Sequence, residues 1–193
     1  MLIGGTGRFN RDGQTLSGLS IGYGRFMDAL AQSGLPTLRY DRRPSLGARE
    51  VLTQQQISEQ AKAVCRFICE ERKARPVVIG HSYGGLVAAD VAAGRDDVAL
   101  LILVSTPATT LMQAIEWQRQ KALEAIVDPG IRENYKAAAA AFDKKLESAE
   151  LETLSHTERS SVAFIRSIKD KTVFDSLKHV TCPIVILQGA DDE

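Results

Sequence analysis

Pro76-Val77-Val78-Ile79-Gly80-His81-Ser82-Tyr83-Gly84-Gly85-Leu86-Val87-Ala88-Ala89 is the stretch that decides the fold of this chain. A β-branched run opens it, a glycine-flanked serine follows, and a small apolar segment of helical character completes it. Strand, tight turn and helix in that order are the unit from which a parallel sheet is built. Gly80, His81, Ser82, Tyr83 and Gly84 satisfy G-x-S-x-G. That spacing carries chemistry only at a strand-to-helix turn, where strained backbone lifts the serine hydroxyl above the sheet. Gly80 and Gly84 leave room for main chain that side chains would block. The helix that follows points its free N–H groups at the same place, which favours developing negative charge, and Tyr83 supplies the nearest amide. The alternative is an ordinary βα turn, glycine-rich because helix and strand pack closely.

Outward from this turn the pattern repeats. Leu2-Ile3 is an apolar stub stopping at Gly4-Gly5, and 23–33 has helical spacing with Phe26, Met27 and Leu30 on one face before Gly34. Pro36 to Tyr40 reads as a short strand. Ile57, Ala61, Val64, Cys65, Ile68 and Cys69 form the stripe of a helix with one buried face. Ala99 to Val104 and Pro183 to Leu187 are two further apolar runs of strand length. Strands apolar on both faces that alternate with helices predict a parallel sheet covered on both sides, hence the α/β class. The alternation breaks between Thr109 and Leu177, where only helical pattern is found. Leu111, Ile115, Ala122 and Ile126 make one stripe ended by Asp128-Pro129-Gly130, an Ala-rich helix follows near Tyr135 to Leu146, and Ser155 with Glu158 has capping-box spacing. An insertion of this length exceeds a βα crossover. The expected organisation is a core of residues 1–108 and 178–193 with 109–177 inserted as a helical cap before the last strand.

The chain has 193 residues, which suits one domain. Lys plus Arg and Asp plus Glu each number 24, so the basic surplus that nucleic acid or an anionic membrane would call for is missing and neither is expected as a partner. No apolar run reaches the roughly 18 residues of a membrane helix, and Met1 to Gly5 lacks the parts of a secretory signal. The 3 cysteines have no C-x-x-C spacing. Cys65 and Cys69 stack on one helix face and Cys182 adjoins a strand, which predicts reduced core thiols, no metal site and a cytoplasmic setting. No cofactor is expected, since G-x-G-x-x-G after a strand does not occur.

With these residues in view, the chain resembles the α/β-hydrolase family, in particular its esterase and serine-aminopeptidase-like branch with a helical cap. Leu2-Ile3-Gly4-Gly5-Thr6-Gly7, continuing through Asn10-Arg11-Asp12-Gly13, is similar to that family's glycine-rich oxyanion loop and its R-D-G extension. Leu38-Arg39-Tyr40-Asp41-Arg42-Arg43 resembles the family's R-Y-D-x-R, although Pro44 stands where glycine is usual. Thr181 to Asp192 is like the strand that carries the catalytic acid at the end of G-x-x-D. The resemblance implies Ser82 as nucleophile, the Thr6 and Tyr83 amides as oxyanion hole, and Asp192 as acid. Asp191 falls one position short of the spacing, and for both aspartates a solvated turn is the plainer role.

The resemblance also implies a histidine base after the acid, and strands before Leu2, so the chain reads as truncated at both ends. Of the 3 histidines present, His81 should point away from the Ser82 hydroxyl by strand alternation, His156 opens a helix, and His179 leads into the last strand. The strands left at the edges, 35–40 and 183–187, invite pairing with a second copy. The leading expectation is a serine hydrolase of carboxylic esters or related acyl compounds, with Trp117, Tyr135 and Phe142 shaping the acyl pocket. Peptidase, thioesterase and carbon–carbon bond hydrolase chemistry share the serine. The alternative class is a catalytically incomplete chain of this fold that binds a small ligand or a partner.

Overall fold

The structure, a computed structural model, describes residues 1–7, 9–15, 17–42 and 52–190. Four strands, β1 (Leu2–Ile3), β2 (Val77–His81), β3 (Leu100–Val104) and β4 (Ile184–Leu187), form one sheet in the order β1-β2-β3-β4, every pair parallel. Helices α1 (Tyr23–Gln32), α2 (Gln54–Glu71) and α3 (Gly84–Ala92) make the layers. The register explains which helix covers which face. Ile3, Val78, Leu101 and Leu103 turn to α2 and α3 and share a core with Ile57, Ala61, Cys65 and Val87. Leu2 and Ile79, paired across β1 and β2, turn the other way onto Tyr23 and Met27 of α1. The sheet therefore has helices on both faces, and α3 is buried along almost its whole length because its residues are small.

Several local expectations change. The 35–40 segment is not a strand: its described tie to the sheet is the Leu2 amide, which donates to the Leu38 carbonyl at 3.2 Å. Pro36 has no N–H to give, and Arg39 is drawn into ion pairs with Asp12 (3.0 Å) and Asp28 (2.9 Å). On α1 the buried face runs through Tyr23 and Met27, one turn apart, while Phe26 is 46% exposed. Coverage of the sheet is uneven, for Ile184 to Leu187 of β4 are exposed on both faces.

Between β3 and β4 lie α4 (Leu111–Ala125), α5 (Pro129–Ser148), a 3₁₀ turn (Leu151–Thr153), α6 (His156–Ile168) and the short α7 (Phe174–Leu177). Asp128-Pro129 ends one helix and also starts the next: the Asp128 carboxylate accepts from the Ile131 amide at 2.9 Å and proline takes the first helical position. The Ala-rich helix is accordingly longer than its composition indicated. Neither α4 nor α5 has a buried residue, and polar ties hold them instead. Arg119 grips Asp143 with two 2.8 Å hydrogen bonds, and Arg166 of α6 donates to the Lys145, Leu146 and Ala149 carbonyls at the end of α5. Ser155 and Glu158 form the capping box of α6. Among the described residues no helix is long and apolar enough to cross a membrane.

The α5–α6 contact is pH-sensitive. Hydrogen bonds from Lys145, then from Ser155, hold the Glu158 carboxyl down to about 2. A carboxylate whose folded value lies below its unfolded one adds stability above the unfolded value and loses it as pH falls toward the folded one. Thermal unfolding midpoints should therefore drop between about pH 4.5 and 2 in the native chain, and by less in Glu158→Gln; equal drops would exclude this contribution.

Candidate active site

Ser82 follows β2 directly and has φ 54°, in the left-handed region that costs a residue with a β-carbon of order 1–3 kcal/mol. Two main-chain bonds hold it there: its amide donates to the Val104 carbonyl at 2.8 Å and its carbonyl accepts from Gly85 at 2.8 Å. The glycines around it are sites of close approach. A β-carbon on Gly80 would lie 2.5 Å from the Gly84 oxygen, one on Gly84 would lie 2.2 Å from the Ile3 oxygen, and one on Gly85 would lie 2.0 Å from Thr106 Oγ1. Strand, helix and the loop after β1 thus meet at one point. Ser105, at the end of β3, has φ 45° as well, so two neighbouring strands both end in left-handed serines. Composition gives no sign of that second strained position.

The loop after β1 is secured from below. The Gly5 amide donates to the Tyr23 hydroxyl at 2.9 Å, and the same oxygen lies 2.7 Å from His81 Nδ1. The phenol so accepts from Gly5 and completes its bonding with the His81 imidazole while carrying one proton of its own. Burial raises the Tyr23 phenol above its ordinary value, so that proton is retained. His81 thereby faces α1. The Gly5 backbone lies against the serine itself, since a β-carbon there would come 3.1 Å from Ser82 Cβ. Farther along, Arg42 donates to the Gly7 carbonyl at 3.1 Å with its guanidinium 4.7 Å from the Phe9 ring centroid. Arg11 pairs with Asp41 as Asp12 pairs with Arg39, so the two charged motifs of the sequence bind each other reciprocally.

Above Ser82 is a cavity of about 340 Å³ whose walls include Thr6, Gly7, Ser82 and Tyr83 on one side and α4 and α6 on the other. Ser82, Thr6 and Tyr83 are brought together. Gly80 and Gly84 lie beneath them as contact points. Asp192 and Asp191 lie outside the described residues, as does Pro44. His179 is distant: its carbonyl accepts from Gly94 just past the 9-residue α3, about 13 Å from the Ser82 end at 1.5 Å per residue. His156 is the first residue of α6.

The expected aromatic wall is different. Among the described residues lining the cavity, Phe164, Ile165 and Ile168 of α6 and Leu111, Ala114 and Ile115 of α4 take the place of Trp117, Tyr135 and Phe142. Trp117 is 37% exposed, with Lys121 over its ring. Phe164, Ile165 and Ile168 stand at i, i+1 and i+4 with Ser161 at i−3, a helical stripe that the sequence displays but that the larger aromatics overshadow. Phe164 also packs edge-on to Tyr83, with centroids 5.0 Å apart. Burial raises the Tyr83 phenol above its ordinary value, so it stays a donor. Among the described residues no cluster of three His, Cys, Asp or Glu side chains is arranged to hold a metal ion.

A sequence profile described as the alpha/beta hydrolase family matches residues 13–193. No curated protein matches the chain. Among solved structures, VinJ is similar with a TM-score of 0.57 and 18% identity, over 96% of this chain and 71% of that one. Proline iminopeptidase from Mycobacterium smegmatis has a TM-score of 0.56 and 18% identity, over 96% of this chain and 70% of its own. A thermophilic esterase from Thermogutta terrifontis has a TM-score of 0.51 and 20% identity, over 97% and 70%. At these identities the likeness is one of fold.

Two substitutions test the construction of the site. Gly84→Ala would drive a methyl group into the main chain of Ile3 and Gly4 and should destabilise by about 1–3 kcal/mol or more in denaturant titrations. Tyr23→Phe leaves the Gly5 amide and His81 Nδ1 without this partner and should cost about 1–3 kcal/mol. A midpoint unchanged by either would contradict the contacts described.

Proposed function

The chain belongs to the alpha/beta hydrolase family, and from that premise we propose that it is a serine hydrolase of carboxylic esters or related acyl compounds, with Ser82 as nucleophile. The observation that carries the reading is the left-handed serine at the strand-to-helix turn, opening onto a cavity it shares with Thr6 and Tyr83. Strain at such a position persists only where surrounding structure over-determines it, and such positions cluster at functional sites.

In this reading Ser82 Oγ attacks the acyl carbonyl carbon as its proton passes to a general base. The tetrahedral oxyanion is received by the Thr6 and Tyr83 amides, and the N-terminus of α3 adds its dipole. Collapse expels the alcohol with a proton, and water then attacks the acyl-enzyme, releasing the acid and restoring Ser82. Asp192 is the proposed acid that orients the base. The helices inserted between β3 and β4 act as a cap and form the acyl wall. Their described lining is apolar with neutral hydroxyl and amide groups, which fits an uncharged acyl chain better than an amino-terminal residue that needs a carboxylate partner.

One observation favours the second reading, a chain of this family that binds without turnover. His81 Nδ1 is engaged by the Tyr23 hydroxyl beneath the loop, and His179 lies at the far end of α3, out of reach of Ser82. Fluorophosphonate labelling of the folded protein separates the two. Labelling that Ser82→Ala abolishes is the result expected of the hydrolase, because the reagent traps an activated serine through phosphonylation of Oγ with loss of fluoride and of the hydroxyl proton. A native chain that unfolds cooperatively yet takes no label would overturn the catalytic reading and leave the binding one.

A further inference from the structure

Beneath the turn that holds Ser82, on the face of the sheet opposite Tyr23, lies a buried polar junction that the proposed chemistry does not use. Its centre is Gln54, the first residue of α2, which is 1% exposed. Its Oε1 accepts the Tyr83 hydroxyl. Its Nε2 donates to Asp90 Oδ2 at 2.9 Å and to Ser58 Oγ at 3.2 Å, and its main-chain amide donates to Ser167 Oγ of α6 at 2.9 Å. Asp90 of α3 also accepts from Ser58 Oγ at 2.7 Å and from Ser176 Oγ of α7. The carboxamide therefore ties α2 and α3 to the residue that follows Ser82, and the Gln54 main-chain amide adds α6.

We propose that Gln54 is a positioning residue for the reaction, fixing through Tyr83 the amide that receives the oxyanion; the proposal rests on the hydrolase reading. The physical need is specific. Ser82 has φ 54° and Tyr83 returns at once to helical backbone, with φ −50° and ψ −32°. A turn with that reversal keeps its geometry only if the next side chain is held at several points. Tyr83 is held at its ring by Phe164 and at its hydroxyl by Gln54. The amide group is suited to the place because it accepts from a phenol at one end and donates to a carboxylate at the other. An apolar residue would leave the Tyr83 hydroxyl without this partner and remove one of the donors to Asp90, and a carboxylate would face Asp90 as a like charge.

Because Gln54 also holds Ser167, the seat of α6 and the aim of the Tyr83 amide share one anchor. The cavity wall supplied by Phe164 and Ile165 is thereby registered to the oxyanion donors.

The test compares the second-order rate of fluorophosphonate labelling in the native chain, Gln54→Leu, Gln54→Glu and Tyr83→Phe, alongside cooperative unfolding of each. Gln54→Leu and Tyr83→Phe should label on the order of tenfold to a hundredfold more slowly, the range expected when a reacting group is displaced by about an ångström. Gln54→Glu is the discriminating variant. Its carboxyl can replace the amide only while protonated, so its rate relative to the native chain should fall as pH rises, a profile that a merely structural role would not create. If Gln54→Leu fails to fold, that profile and Tyr83→Phe decide. Native-like rates in the folded variants, or a Gln54→Glu ratio constant with pH, overturn the proposal while leaving the hydrolase reading intact. A native chain that takes no label overturns both.

Discussion

The close approach of α3 to the ends of β1 and β2 is the constraint on which the remainder of the structure depends. Three glycines, Gly80, Gly84 and Gly85, allow backbone to meet backbone or a threonine side chain at distances no β-carbon could share. Their contact brings the N-terminus of α3 under the loop after β1. It also leaves Ser82 as the residue that absorbs the change of direction, with φ 54°. Helix dipole, loop amides and serine hydroxyl therefore converge because the turn is tight. A looser turn would bury the same apolar surface and lose that convergence.

Two polar systems keep the turn in place from opposite faces of the sheet. On the α1 face, Tyr23 links the Gly5 amide to His81. On the α2 and α3 face, Gln54 links Tyr83 to Asp90. Each has its hydrogen bonds made inside a poorly solvated region, where an unmade one is most costly. This arrangement accounts for the presence of Gln54 and Ser58 in a core that is otherwise apolar. It also places His81 in a supporting role beneath the loop.

The helices between β3 and β4 obey different physics. Helices α4 and α5 bury no residue and are joined by Arg119 to Asp143, Arg166 to the end of α5, and Lys145 to Glu158. Polar ties at partly exposed sites contribute modestly, so this region belongs to the low-stability end of the molecule while α3 and the sheet carry the core. Helix α6 bridges the two regimes, with Val162 and Ile168 buried and Phe164 against Tyr83.

What could be read from the amino-acid order was what short-range physics dictates. Alternating strand runs and helical stripes specified the α/β class, because burial periodicity is a local property. The serine turn was legible because its glycines answer a steric demand within six residues of chain, and the capping box at Ser155 because it closes within one turn. The tertiary structure alone decided the pairings that no local rule selects: Gln54 with Tyr83, Tyr23 with Gly5 and His81, Phe164 rather than Trp117 at the cavity wall. It also decided that 35–40 is not a strand: Leu38 accepts from Leu2, while Arg39 pairs through its side chain with Asp12 and Asp28. Such partners lie far apart in the chain, and which of several chemically suitable groups meet depends on how helices and sheet pack, a global outcome that residue type and spacing do not encode.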